Sequence, residues 1–282
     1  MTAGRSGFAM LSPSLVLLLV VFLAPLALML PMSFRPYIAG QGIGTGFTLE
    51  HFIKALSDDY YLEIAGRTLM LGGIVTGLCL IIGYPLAFFL ARTRSRLRSW
   101  LILLVIFPLL LNLVVRTFGW IALLANRGLI NDSLIALGLI AAPIKLLFNF
   151  TGLLIGLTHI FLPFMVLMLM AAIEHLPRDV EDAARSLGAG WLVTFWKVTL
   201  PLSLPGIVSG SILVFVLTVS ALVTPRLLGG PTYKVMSTLI FEQFLQLLNW
   251  PLGSALAFLL TLVSVILIAA SSALARRAGA AA

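Results

Sequence analysis

Charge is what this 282-residue chain has least of: Lys and Arg number 18 and Asp and Glu 10, a charged fraction of 10% against 61% apolar residues. With a mean hydropathy of +1.13, such a sequence has too few polar atoms to cover a globular surface. That excludes a soluble domain and makes the lipid bilayer its solvent. Cysteine is nearly missing too. The single Cys79 lies in an apolar stretch, so neither a disulfide framework nor a cysteine metal site can be built. The three histidines, His51, His159 and His175, are far apart in sequence and in expected depth, which argues against a shared metal site. No G-x-x-x-x-G-K-[ST] occurs, and Gly229-Gly-Pro-Thr-Tyr-Lys234 lacks the spacing that wraps phosphates before a helix, so the chain has no means of hydrolysing ATP alone. H-E-x-x-H and G-x-S-x-G are absent as well, which makes a membrane protease or lipase a poor reading. No catalytic residue and no metal ligand is assigned.

What the chain has in abundance is long apolar runs. Six are long enough, at about 20 residues each, to cross the hydrocarbon core as helices: Leu11 to Met32, Thr68 to Leu90, Leu101 to Leu123, Leu146 to Ala172, Leu204 to Val223 and Gly253 to Leu274. The expected fold is therefore an all-α integral membrane protein with six transmembrane helices. In a soluble protein the net charge of +8 would point to nucleic acid; here the basic residues gather in loops beside the spans, where they report orientation, and no nucleic-acid partner is expected. Arg92, Arg94, Arg96 and Arg98 between the second and third spans, and Arg276 and Arg277 after the sixth, belong in the cytoplasm by the positive-inside rule. Both termini then fall inside, and the loops around Phe34 to Arg67, Asn126 to Lys145 and Thr224 to Trp250 fall outside. The first span follows Arg5 as a signal peptide would, but it is longer than the usual apolar core and no small-x-small site follows, so it is read as a retained helix. The glycine-rich Gly40 to Gly46 and the helical pattern from Leu49 to Leu56 make a connector with short surface helices.

A compact polar insert separates the fourth and fifth spans. In Glu181-Asp-Ala-Ala-Arg-Ser-Leu-Gly188, Val180, Ala183, Ala184 and Leu187 recur at i, i+3, i+4 and i+7. One face of a short helix is thus small and apolar, while Arg178, Glu181, Asp182 and Arg185 cover the other. Gly188 is placed to cap it. A second amphipathic stretch, Leu192, Phe195, Trp196 and Thr199, follows the Gly188-Ala-Gly190 turn, and Pro201 and Pro205 break the helix before the next span. Alanines on the small apolar face let another protein's helix or backbone approach closely. An interfacial amphipathic helix lying between spans is the plainer alternative.

Asp182, Ala183, Ala184 and Gly188, followed after nine intervening residues by Val198, Leu200 and Pro201, resemble the cytoplasmic coupling loop, or EAA motif, of permease subunits in binding-protein-dependent ATP-binding-cassette importers. Asp182 stands where glutamate is usual, with Glu181 just before it. The resemblance implies the type I importer permease fold with a cytoplasmic coupling helix, in which Glu181, Asp182, Ala183, Ala184, Gly188, Leu200 and Pro201 couple the subunit to its ATPase. Residues 1–282 would form one permease domain, with a core over 65–275, an N-terminal bracing helix over 8–33 and the coupling loop over 174–203. Implied partners are two ATPase subunits, a second permease subunit of the same or a similar kind, an extracytoplasmic solute-binding protein and the bilayer. ATP and Mg would be bound by the ATPase subunits and no cofactor by this chain. The implied location is the bacterial inner membrane, with multiple passes.

Further segments are similar to the spermidine/putrescine branch of that family: Phe107-Pro108, Arg116-Thr-Phe-Gly-Trp120, Arg127-Gly128, Asn131, Leu162-Pro-Phe-Met165, Pro201-Leu-x-x-Pro-Gly206, Ser220 to Pro231, Glu242-Gln-Phe244 and Asn249-Trp-Pro251. They imply import of a polyamine or a related small amine, with organic acids and phosphonates as alternatives. One physical point opposes a polycation: no Asp or Glu falls inside a predicted span to offset its charge. Candidate passage residues are Asn112, Arg116, His159 and Ser220. Each has a structural alternative: an interhelical hydrogen bond for His159, snorkelling for Arg116 and helix-to-helix adhesion for Ser220. A stand-alone secondary transporter or channel is the rival from another class, and it would need its own buried ion-coupling groups.

Overall fold

The computed structural model describes residues 3–38 and 40–280, with no account of the side chains of residues 3–11, 22 and 274–280. The described chain is helical apart from one short hairpin. Its elements are α1 (Ala3–Met32), β1 (Tyr37–Ile38), β2 (Gly42–Ile43), α2 (Glu50–Ser57), α3 (Asp59–Arg92), α4 (Leu97–Leu110), α5 (Leu113–Leu124), α6 (Leu129–Ala136), α7 (Phe150–Glu174), α8 (Arg178–Ser186), α9 (Trp191–Thr194), α10 (Leu200–Leu202), α11 (Leu204–Ser220), α12 (Met236–Leu245) and α13 (Trp250–Ala280). Wide π-helical turns occupy Phe195–Thr199 and Pro225–Gly229. Among the described residues, five helices are long and apolar enough to cross a bilayer, within Ser12–Met32, Asp59–Arg92, Leu113–Ala136, Phe150–Glu174 and Trp250–Ala273. The bent pair Trp191–Leu202 and Leu204–Ser220 makes a sixth.

Helix is the form these apolar runs must take, because it satisfies every backbone polar group internally where no water is available. Six of the hydroxyls on the helices follow the same rule. Thr68, Thr76, Thr117, Thr218, Ser220 and Thr261 each donate to the carbonyl four residues earlier, so none carries an unpaired donor into lipid or core.

The chain divides into two compact units, Met1–Leu62 with Leu239–Thr261, and Glu63–Thr238 with Leu262–Ala282. In the first, α1 leaves Val16, Leu17, Leu18 and Leu28 exposed, as expected of a lipid-facing helix. The connector after it folds back as the β1–β2 hairpin, with Tyr37 opposite Ile43 and Ile38 opposite Gly42. Phe34 stacks on Phe47 and tilts against Phe52, both with centroids at 5.1 Å. His51 Nε2 donates to the Arg35 carbonyl at 3.0 Å, and Tyr37 Oη donates to that of Leu247 at 3.1 Å.

In the second unit α7 is the central helix, with Leu153, Leu157, Met165, Leu169 and Ile173 inaccessible to solvent. Its chief neighbour is α11, and two glycines one turn apart decide the distance between them. A Cβ on Gly206 would collide with the Ala172 side chain, and one on Gly210 would meet Met165 Sδ at 2.9 Å. This is the small-xxx-small device by which membrane helices replace a hydrophobic driving force with close backbone packing. The residues before α11 make the 63° bend anticipated from Pro201 and Pro205. Tyr84 Oη and Ser203 Oγ, 2.8 Å apart and buried, tie the bend to α3.

The third span departs from expectation. Rather than running unbroken from Leu101 to Leu123, it is split into α4 and α5, with Leu111 extended at ψ 142°. Pro108 has no N–H for the carbonyl one turn back, and Asn112 Oδ1 accepts from Val114 N at 2.8 Å, starting a new helix where an apolar side chain would leave that donor bare. Beyond α5, the fully buried Asn131 donates to the carbonyls of Ala125 and Ile144 and accepts from Ile144 N, closing the loop that follows α6.

Candidate coupling and passage sites

The insert at 174–203 forms α8, a glycine turn, α9 and the first π-helical turn. α8 starts after Pro177 with Asp179 and Glu181 in its first turn, where carboxylates favour the positive end of the helix dipole. It ends where the sequence placed a cap. Gly188 adopts φ +87°, its N–H donates to Arg185 O at 2.9 Å, and Ala189 N donates to Ala184 O at 3.1 Å, the paired bonds of a Schellman termination.

Unlike a helix packed by its apolar side, α8 is largely exposed on both faces and is anchored by one polar residue. Val180, Ala183 and Leu187 face outward, Leu187 with 90% of its surface exposed, and Ala184 is half-buried. Glu181 instead is only 8% exposed. Its Oε1 accepts from Arg92 Nη2 at 2.7 Å and from Thr199 Oγ1 at 3.1 Å, joining the end of α3, the start of α8 and the π-helical turn. Arg92 Nη1 donates to Leu176 O at 3.4 Å. Nearby, Arg98 pairs with Glu174 and donates from Nε to Leu90 O at 2.9 Å. Two of the four arginines first read as topology signals therefore also fasten the base on which α8 is set.

Asp182 and Gly188 are exposed beside that outward face, while Leu200 and Pro201 lie half-buried at the bend. Trp191, Leu192 and Trp196 extend the uncovered apolar surface onto the next turns. Phe195 points the other way, meeting Tyr84 and Phe88 edge-on at 5.6 and 5.9 Å. Arg92 and Thr199 are the residues that reasoning from sequence missed as partners of the motif. The pairing of Arg92 with Glu181 spans 89 positions, and no local spacing announces it.

The four candidate passage residues do not form one cluster. Asn112 is the exposed cap of α5, and Ser220 bonds back to Val216 O at 2.7 Å within α11. His159 and Arg116 belong to one neighbourhood through Trp120. Half-buried His159 accepts at Nδ1 from Trp120 Nε1 at 3.1 Å, and Arg116 lies one turn before Trp120 on α5. The bond fixes the tautomer: Nδ1 accepts, so a neutral ring carries its proton on Nε2. Arg116 is different again, because its Nε and Nη1 are buried with no hydrogen-bond partner among the described residues. Next to it Thr117 reaches Thr224 at 3.3 Å, linking α5 to the segment after α11.

Several apolar spans, one of them bent, mark the chain as a multi-pass membrane protein. It is similar to a crystal structure of a bacterial alginate ABC transporter in complex with an alginate pentasaccharide-bound periplasmic protein, with a TM-score of 0.78 over 96% of this chain and 94% of that one at 21% identity. Residues 83–279 match the family described as binding-protein-dependent transport system inner membrane component, and the chain belongs to that family. It is 35% identical over 251 residues to the spermidine/putrescine transport system permease protein PotB of Haemophilus influenzae, covering 89% of this chain and 87% of that protein. To PotB of Escherichia coli it is 36% identical over 247 residues, covering 88% and 89%. The chain is thus a multi-pass permease subunit of an ABC importer, and ATP hydrolysis belongs to partner subunits. Membership in this family sets aside the stand-alone transporter.

Proposed function

We propose that α8 is the element through which a cytoplasmic ATPase moves the spans, and that the solute carried is a polyamine or a related small amine. The observation that carries the coupling role is the anchoring of α8: Glu181 is held inward by Arg92 and Thr199, leaving Val180, Ala183 and Leu187 uncovered beside Asp182. An amphipathic helix with a free apolar face suits a groove on another protein. In this reading Glu181 positions the helix, Asp182 is the carboxylate available to the ATPase, and Ala183, Ala184 and Gly188 permit close approach. Leu200 and Pro201 carry the displacement into the bend before α11. Closure of two ATPase subunits around ATP and Mg would then favour one arrangement of the spans, since only differential affinity for two states can shift their populations. A second permease subunit, braced by the exposed α1, would complete the passage, and an extracytoplasmic binding protein would deliver solute to it. Both termini and α8 lie in the cytoplasm in this arrangement. Cysteine labelling should find residue 94 inside and residue 230 outside, and a cytoplasmic residue 230 would overturn the coupling role as well.

The polyamine reading is supported by the two PotB relatives, which match most of both chains. Asn112, Arg116, His159 and Ser220 remain the passage candidates in this reading. Arg116 favours a second one, a solute with an anionic group, because two of its guanidinium nitrogens are buried and unsatisfied. Uptake by the complex reconstituted with its ATPase and binding protein separates the two. Labelled putrescine should accumulate with ATP and be displaced by spermidine; no accumulation of putrescine, with uptake of a labelled organic acid or phosphonate instead, would refute polyamine import.

A further inference from the structure

Two adjoining cavities at the Arg92 end of α3 differ in chemistry and share Phe88, Arg92 and Trp191. The first, of about 530 Å³, is an aromatic and apolar cleft walled by Tyr84, Pro85, Phe89 and Phe195. The second, of about 280 Å³, is lined by Arg94, Arg178 and Arg185 together with Glu181 and Asp182. With Arg92 this makes four cations against two carboxylates, and one carboxylate, Glu181, is already paired with Arg92. Among the described residues, none of Arg94, Arg178 and Arg185 takes part in an ion pair. Arg92, common to both cavities, keeps its Nε buried without a hydrogen-bond partner.

We infer that this amphipathic pair of cavities is a binding site for an anionic phospholipid, with the headgroup phosphate among Arg92, Arg94, Arg178 and Arg185 and an acyl chain along Tyr84, Phe89 and Phe195. Charge and polarity both select that occupant. Clustered guanidiniums hold phosphate oxygens through paired N–H groups, and the aromatic walls offer nothing to a small hydrophilic anion but suit a hydrocarbon chain. The site opens at the end of a membrane-spanning helix, where an arginine cluster meets the anionic lipids of the cytoplasmic leaflet. This placement rests on the orientation proposed above. A lipid held there touches both the end of α3 and the root of α8, so the composition of the bilayer would bear on how firmly α8 is seated.

The full chain, purified in detergent, is titrated with phosphatidylglycerol and with phosphatidylcholine, and bound lipid is counted by native mass spectrometry. Phosphatidylglycerol should be retained preferentially, and each of Arg94→Gln and Arg178→Gln should weaken its retention about fivefold. Phe89→Asp, which spoils the cleft and leaves the arginines in place, should weaken it too, and Arg94→Lys should restore most of what Arg94→Gln loses. Equal retention of the two lipids, or unchanged retention in both arginine variants, would overturn the site. Inorganic phosphate at millimolar concentration that displaces the lipid completely, with Phe89→Asp behaving as the parent, would identify a simple phosphate pocket and refute the lipid. The readout needs neither ATPase nor transport, so failure of the coupling role leaves its own separate signature.

Discussion

Arg92 and Arg116 are both substantially buried arginines in an otherwise apolar chain, and their surroundings are opposites. Arg92 meets Glu181 at 2.7 Å, shares that carboxylate with Thr199 and adds a backbone carbonyl. Arg116 has two buried nitrogens with nothing to receive their protons. Taking a guanidinium out of water is tolerable when an acceptor of opposite charge replaces the lost hydration, and costly otherwise. The Arg92 charge is therefore answered within the chain, with only its Nε left without a partner among the described residues. The Arg116 guanidinium has no such acceptor among the described residues, and in the passage reading a solute, water or another subunit would supply it.

The largest effect should come from removing the acid at the paired site. Glu181→Ala leaves Arg92 buried without its counter-charge, and the folded chain should lose about 3 kcal/mol, the lower end of the range for breaking such a pair. Thermal unfolding of the purified chain measures it. Glu181→Gln, which still offers an oxygen to Arg92 and Thr199, should retain part of the loss. A melting temperature unchanged in both variants would show that the pair is incidental.

Next comes the helix end that positions α8. A Cβ at Gly188 meets no atom within 4 Å, so the penalty is the left-handed backbone alone, about 1–2 kcal/mol for either Ala or Leu. Gly188→Ala and Gly188→Leu should accordingly be equally stable as isolated chains. They should diverge in the complex, with Leu losing the substrate-stimulated ATPase activity that Ala partly keeps, because only Leu fills the space needed by the partner. Equal activity in the two variants would remove Gly188 from the docking surface.

These two sites also show how far the sequence could be read. The polar insert around Glu181 was legible as a short amphipathic helix, and Gly188 was legible as its cap because a glycine after an apolar helical period has few other uses. The bend before α11 was legible from Pro201 and Pro205. The inward turn of Glu181 was not, since α8 has two faces and the choice between them is made by Arg92 on another helix. The break in the third span was half-legible: Pro108 and Asn112 together form a stop and a start, but an apolar run of that length reads as one span unless the cap is weighed. His159 stood out as an ionisable group near mid-span and Arg116 as one toward the outer end of its span, yet whether each has a partner is a tertiary fact, and it separates them: His159 has Trp120.

A smaller effect follows for that pair. His159→Ala removes the acceptor of the Trp120 indole N–H, and the chain should lose about 1 kcal/mol. His159→Asn, which keeps an acceptor at similar reach, should recover most of it. Measured beside uptake, the two roles separate. Reduced stability with unchanged substrate dependence in the surviving complex would make His159 a packing residue and refute its place in the passage.

The smallest effect on stability is expected at Arg116, and it tests the comparison directly. Arg116→Met replaces an unsatisfied guanidinium with an apolar chain of similar length, so the isolated chain should be as stable as the parent or slightly more so, where Glu181→Ala is crippled. Uptake by the assembled complex should fall all the same, since whatever group completes Arg116 loses its contact. Arg116→Lys should restore part of the uptake if charge alone is used and little if the planar fork is needed. A loss of stability in Arg116→Met comparable to that of Glu181→Ala would mean that Arg116 is satisfied within this chain, and the distinction between the two arginines would collapse.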